Sequence, residues 1–313
     1  MRRIGYRHQR TLAAPTEVRG VGFVAGGRVR LRFHPAPPHT GLAFVRSDLP
    51  GRPLTPARAD RVTDTSRRTS LGPPDTGVTL VEHVLATLAG LRVDNCVVEL
   101  DGPEPPGLDG SAHGFAEAVA AAGIVLQPAR REVWAVCEPV VVAHGGATIA
   151  LHPPAAGDGA ALRASYLLDY GPRARIPRQA HTVAVTPQAF ARELAGCRTF
   201  LLEEEAVALR QQGVGRHLTP DQLLVFGPRG PIGNTLRYAD EPARHKVLDL
   251  VGDLSLCGFD LVGHVVAYRS GHALNVELAR RLVAAAARAA AGVAAPAPAP
   301  TRAPRPCRRR AAA

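Results

Sequence analysis

The sequence predicts an α+β fold in which one α/β unit occurs twice. Three observations carry that expectation. Apolar Val29, Leu31 and Phe33 alternate with Arg28, Arg30 and Arg32, the period of two expected of a half-buried strand. The stretch GFVAGGRVRLRFHPA at 22–36 is echoed by VVVAHGGATIALHPP at 140–154, each with a Gly-Gly turn, an alternating strand and a His-Pro. Apolar residues also recur at helical spacing, at Val81, Val84, Leu85 and Leu88 and again through residues 244–256.

Taken in order, a strand-rich opening covers residues 16–45, with Gly26-Gly27 as its hairpin turn. A helix over 79–91 ends near Gly90 and leads to a buried strand at 97–100. DGPEPPGLDGSAHGF reads as a loop, and 114–123 as an alanine-rich helix. A domain boundary is expected near 128–131, dividing the chain into 1–129 and 130–290. In the second part, 164–169 and 261–268 read as strands and 187–195 and 244–256 as helices, the last stopped near Gly258. Residues 291–313 are rich in Ala, Pro and Arg and cannot bury a core, so a disordered tail is expected.

Composition narrows the function classes. A hydrophobic fraction of 46% and a charged fraction of 21% over 313 residues exclude a wholly disordered chain. No apolar run approaches the ~20 residues of a membrane helix, and no signal-peptide core follows Arg2 and Arg3, so a cytoplasmic protein without stable membrane insertion is expected. From Arg281 onward there are seven arginines and no acid, which taken from the net charge of +11 leaves +4 for residues 1–280. So modest a charge is a weak argument for nucleic acid and fits an anionic small substrate about as well. The five cysteines are widely spaced and lack CxxC or zinc-finger spacing, so free thiols are expected. Among 38 basic residues Lys246 is the single lysine, which invites a chemical role for its compact charge.

The strongest chemical signal is RHKVLDLVGD. On a helix, His245 and Asp249 share one face, with Asp253 one turn further. An i,i+4 His/Asp pair can clamp zinc, although a surface His–Asp pair has the same spacing. LVEHVLATLAG offers His83 as a third ligand. Two histidines and a carboxylate would leave one zinc position for water, and the adjacent Glu82 could take that water's proton. The competing role for Glu82 is a capping box with Thr79, its side chain reaching back to the Thr79 amide. SGHALN places His272 in a glycine-flanked turn after a strand, where an imidazole can protonate a leaving amine. CRTF contributes Thr199, a candidate oxyanion donor, beside Phe200. Asp94, Asn95 and Asp109 are assigned structural roles in turns, and His34, His39, His144, His152 and His217 fit no ligand pattern.

Through TLVEHVLATLAGLRVDN, LDGSAHGF, CRTF, LRYADEPARHKVLDLVGD and AYRSGHALN, in that order, the chain resembles the zinc-dependent UDP-3-O-acyl-N-acetylglucosamine deacetylases of lipid A biosynthesis. The resemblance implies two duplicated two-layer α/β sandwich domains with small inserts and the active site between them. It implies one zinc per chain on His83, His245 and Asp249, with Glu82 as general base and His272 as general acid poised by Asp253. Thr199 would help hold the oxyanion, Phe200 would pack on the glucosamine, and Tyr166, Lys246 and Arg269 would contact the substrate. An insert at about 201–225 would line an apolar passage for the acyl chain. The implied partner is the UDP-3-O-acyl-N-acetylglucosamine substrate, acted on by a monomer with no nucleic acid. The chain departs from the family pattern at three places. Gly22-Phe23-Val24 stands for a Gly-Leu-His turn, Arg216-His217-Leu218-Thr219 for a Gly-Gly-Ser stretch, and Arg269 for a lysine. Two rival readings are a deacetylase for another N-acylated sugar and a basic scaffold for nucleic acid or anionic membrane.

Overall fold

The computed structural model describes residues 1–292 apart from 156, 158 and 160, so the expected tail lies outside the described residues from 293 on. The first half opens with strand β1 (Arg2–Leu12), a hairpin of β2 (Thr16–Val21) and β3 (Arg28–Pro35), then β4 (Leu42–Arg46) and β5 (Leu54–Pro56). A small pair, β6 (Val62–Asp64) and β7 (Ser70–Leu71), precedes helix α1 (Glu82–Gly90), strand β8 (Cys96–Leu100) and helix α2 (His113–Ala122). The second half begins with β9 (Ile124–Ala135), the hairpin β10 (Val140–His144) and β11 (Ala147–His152), β12 (Leu162–Leu168) and β13 (Gln179–Ala184). A short helix α3 (Pro187–Ala189) leads to an insert of β14 (Phe200–Leu202), α4 (Glu203–Gln211), β15 (Leu224–Gly227) and β16 (Gly230–Pro231). Helix α5 (Glu241–Ser255), strand β17 (Asp260–Tyr268) and helix α6 (His272–Ala290) complete the described chain.

The duplication is complete at the level of sheet topology. One sheet has the order β2-β3-β8-β4-β5, and the other contains the order β10-β11-β17-β12-β13. The pairings agree strand for strand: antiparallel, antiparallel, parallel, antiparallel. The parallel pairs need long crossovers, and each crossover contains the helix that precedes the central strand. The leading strands β1 and β9 pair antiparallel, Tyr6 opposite Glu132, and β9 joins the start of β17 in parallel. The boundary expected near 128–131 falls inside strand β9.

The core follows the pattern read from the sequence. Strand β3 buries Val29, Leu31 and Phe33 and turns its arginines outward. Helix α1 starts at Glu82 rather than at 79, because the Thr79 and Val81 amides bond the Pro103 and Thr69 carbonyls and Leu80 is left-handed, φ +57°. The segment expected as a helix over 187–195 starts as α3 and widens into a π turn over Phe190–Leu194. Helices α1 and α5 pack on each other. At their crossing a Cβ on Gly252 would lie 2.2 Å from the Glu82 carbonyl oxygen, so glycine permits the approach.

Candidate active site

The two packed crossover helices bring the chemistry together. The first turn of α1 carries Glu82 and His83, α5 carries His245, Asp249 and Asp253, and α6 begins at His272. His83 Nε2 and His245 Nε2 lie 3.6 and 3.4 Å from the same oxygen, Asp249 Oδ1. Their rings stand nearly perpendicular, with centroids 5.0 Å apart. One donor atom from each of the three residues falls within 4.8 Å of the others.

The electrostatics of this triad suit a divalent cation. Asp249 Oδ1 is buried and has no hydrogen-bond partner, whereas Oδ2 accepts from Lys246 Nζ at 2.9 Å. A buried carboxylate oxygen left without a donor is costly unless a cation completes it. His245 Nδ1 bonds the Cys197 carbonyl at 3.0 Å, which as donor leaves Nε2 a lone pair aimed at the triad. Burial brings the His245 pKa down to about 4, so the ring is neutral at pH 7. Burial opposes ionisation of Asp249, but Lys246 and His245 outweigh it and hold the carboxyl well below its ordinary range. Neutral imidazole and ionised carboxylate are the states in which these groups bind metal. The residues fit such an ion.

Glu82 is 3% exposed, and its Oε2 accepts the Thr69 amide at 3.0 Å. The expected capping box does not form: α1 has no side-chain cap, and the Thr79 amide goes to Pro103. Desolvation pushes the Glu82 carboxyl above its usual pKa against the pull of the His272 and His83 rings. Burial alone would lower the His272 pKa. Asp253, with Glu82 and Asp249, raises it instead to about 9. Asp253 Oδ2 meets His272 Nδ1 at 2.9 Å and accepts from Asn275 Nδ2 at 2.9 Å, and its Oδ1 accepts from the Thr69 hydroxyl at 2.7 Å.

Glu82, His83, His245, Asp249 and His272 line one cavity of about 950 Å³. Thr199, Phe200, Tyr166, Lys246 and Arg269 line it too, as do Leu201, Leu209, Leu218 and Val225 of the insert. Phe200 packs edge-on against His245 at 6.1 Å, with Lys246 Nζ 5.7 Å from its ring centroid. The Tyr166 hydroxyl donates to the Ser270 carbonyl, and Arg269, left-handed at φ +53°, pairs with Asp169 at 3.3 Å. Lys246, the single lysine, spends its charge first on Asp249.

Sequence reasoning missed two supports. Thr69 holds Glu82 and Asp253 together from a loop 13 and 184 residues away, and no local pattern marks it. Arg198 and Glu241, 4% and 0% exposed, form a buried pair in which Glu241 Oε1 takes the Arg198 amide and Nε at 3.0 and 2.8 Å. That pair seats Thr199 and Phe200 over the start of α5. An arginine inside CRTF was the available signal for it.

A His-His-Asp set with His245 and Asp249 buried, a desolvated carboxylate and a carboxylate-backed imidazole around one cleft define a metal-dependent hydrolase. Residues 9–284 match the family model of UDP-3-O-acyl N-acetylglycosamine deacetylase. The chain is 39% identical over 284 residues to the UDP-3-O-acyl-N-acetylglucosamine deacetylase of Myxococcus xanthus, covering 88% of this chain and 87% of that one. It is 41% identical over 274 residues to the enzyme of the same name from Thermosynechococcus vestitus, covering 88% and 93%. The chain belongs to the UDP-3-O-acyl N-acetylglycosamine deacetylase family. Among the described residues no helix is long and apolar enough to cross a membrane.

Proposed function

We propose that the chain hydrolyses the acetamide of UDP-3-O-(3-hydroxyacyl)-N-acetylglucosamine, releasing acetate and the free 2-amine, the committed step of lipid A biosynthesis. The observation that carries the reading is the unpartnered Asp249 Oδ1 between two imidazole nitrogens, one helix away from a desolvated glutamate. His83, His245 and Asp249 would hold one zinc ion. Zinc, when bound, supplies a Lewis acid that polarises a carbonyl and lowers the pKa of water.

The protein's own groups divide the proton work. Glu82, whose raised pKa suits a base that must keep a proton, takes one from the attacking water. His272, already protonated at neutral pH, gives its proton from Nε2 to the departing amine, since Nδ1 is bound to Asp253. The water oxygen adds to the acetamide carbon and Thr199 donates toward the oxyanion that forms; the C–N bond then breaks as the oxyanion collapses and the nitrogen takes the His272 proton. Phe200 packs on the sugar, Tyr166 and Arg269 contact the substrate, and Lys246 acts near the diphosphate while keeping Asp249 ionised. The apolar insert receives the acyl chain.

Acetate release by the zinc-loaded protein from the acylated UDP-sugar, run beside the unacylated sugar and other N-acetyl sugars, tests this. The acylated substrate should be strongly preferred, with kcat/KM falling by up to ~0.8 kcal/mol for each buried methylene removed. Equal rates on acylated and unacylated UDP-sugar would favour a different N-acylated substrate.

A further inference from the structure

The insert that follows Phe200 is tied back to the first repeat by a histidine that the chemistry above does not use. His217 Nε2 bonds the Gly22 carbonyl at 2.7 Å, across 195 residues of chain. Its ring sits so close to the turn that a Cβ on Gly26, where φ is +68°, would lie 2.8 Å from His217 Nδ1. The turn is in turn held from beneath. Glu104 is fully buried and accepts the Val24 amide at 3.0 Å and the Ala25 amide at 2.6 Å. Its carboxylate fills the space a side chain on Gly22 would need, 2.3 Å from the Cβ position.

This contact borders the cavity. Phe23 and Val24 of the turn line it from the first repeat, and Val214 and Leu218, flanking the histidine, line it from the insert. A second tie, Arg67 to Glu205 at 3.0 Å, joins the loop before β7 to helix α4. Arg67 is 56% exposed there, so solvent screens that pair and leaves the histidine as the more specific fastening.

We propose that His217 is a positioning residue for acyl selectivity: by pinning the segment 214–220 to the rigid turn 22–27, it sets the gap between Phe23 and Val24 on one side and Val214 and Leu218 on the other. The proposal rests on the reading of this cavity as an acyl passage. A wall free to move cannot keep each methylene out of water, so discrimination between long and short chains depends on the tie.

The test compares kcat/KM for long-chain and short-chain acylated UDP-sugar in wild type, His217→Ala, His217→Gln and Gly26→Ala. His217→Ala should lower the long-to-short ratio by about 2- to 10-fold, the worth of one neutral hydrogen bond. Gly26→Ala keeps the histidine but occupies its seat, and should give the same loss. His217→Gln can still donate to the Gly22 carbonyl and should restore most of the ratio. A ratio unchanged in His217→Ala and Gly26→Ala, or equal losses on both substrates, overturns the proposal. A wild-type enzyme indifferent to acyl chains would instead overturn the passage itself, a result visible without any variant.

Discussion

The two repeats share their strand order and pairing, yet they contribute unequally to chemistry. Each has a helix directly after its central-strand segment, and each of those helices begins with a histidine: His113 in α2 and His272 in α6. The His113 side chain is 54% exposed and faces Glu117 at 3.3 Å, a surface pair of little energetic weight. The His272 side chain is 7% exposed and faces Asp253, itself fully buried. The difference lies in the crossover helices. Helix α5 runs fifteen residues and reaches α6 with a carboxylate, whereas α1 runs nine and carries no acid beyond Glu82 at its first position. Topology supplies a position, and a buried neighbouring carboxylate raises the proton affinity of the imidazole placed there.

The comparison breaks most severely at the metal donors. His245→Ala and Asp249→Ala should lose bound zinc and acetate release together, read as metal per chain and turnover on the same folded preparation. Glu82→Gln touches no proposed donor and should keep its zinc while losing ~10²–10⁴-fold in kcat. Full zinc with full activity in that variant would remove Glu82 from the mechanism.

The histidine at the start of α6 sets the next expectation. Because His272 holds its proton up to about pH 9, activity should fall as pH rises through about 9. Asp253→Asn removes the charge that raises that value, so the basic limb should move to lower pH. Stability carries the same sign: the folded pKa exceeds the ordinary 6.5, so the His272–Asp253 pair stabilises fully below pH 6.5 and loses that contribution by about pH 9. A basic limb that stays in place in Asp253→Asn would separate the histidine from the profile.

Smaller effects test the packing that unites the repeats. Gly252→Ala sets a methyl group against the Glu82 carbonyl and should cost about 1–3 kcal/mol in denaturant unfolding, with weaker zinc binding. His113→Ala, at the matching position of the other repeat, should change stability by less than ~0.5 kcal/mol and leave turnover intact. A loss of activity there would mean the two helix starts are less different than their burial indicates.

Features carried by neighbouring residues were legible beforehand. The His245–Asp249 pair follows from helical spacing, and the alternation in β3 follows from the pleat, because both are properties of a few consecutive residues. The Gly-Gly echo marked the two hairpins that open the matching sheets. Capping at Thr79 was misread because the local signal lost to longer-range bonds: the Thr79 amide found Pro103 and the Glu82 carboxylate found Thr69. Residues 128–131, where a boundary is expected, lie within β9, a strand whose role shows only through its pairing with β1.

By itself, then, the sequence determined which residue types could chelate, accept and donate, since periodicity and spacing act within one helix or strand. Tertiary structure alone decided which of them meet. It left Asp249 Oδ1 without a donor by giving Oδ2 to Lys246, and it buried His272 against Asp253 while leaving His113 in water. It also let Thr69 hold two carboxylates from different halves of the chain. Burial and partner choice depend on which segments pack together, as when Thr69 meets Asp253 across 184 residues, and no local pattern encodes the desolvation that sets their charge.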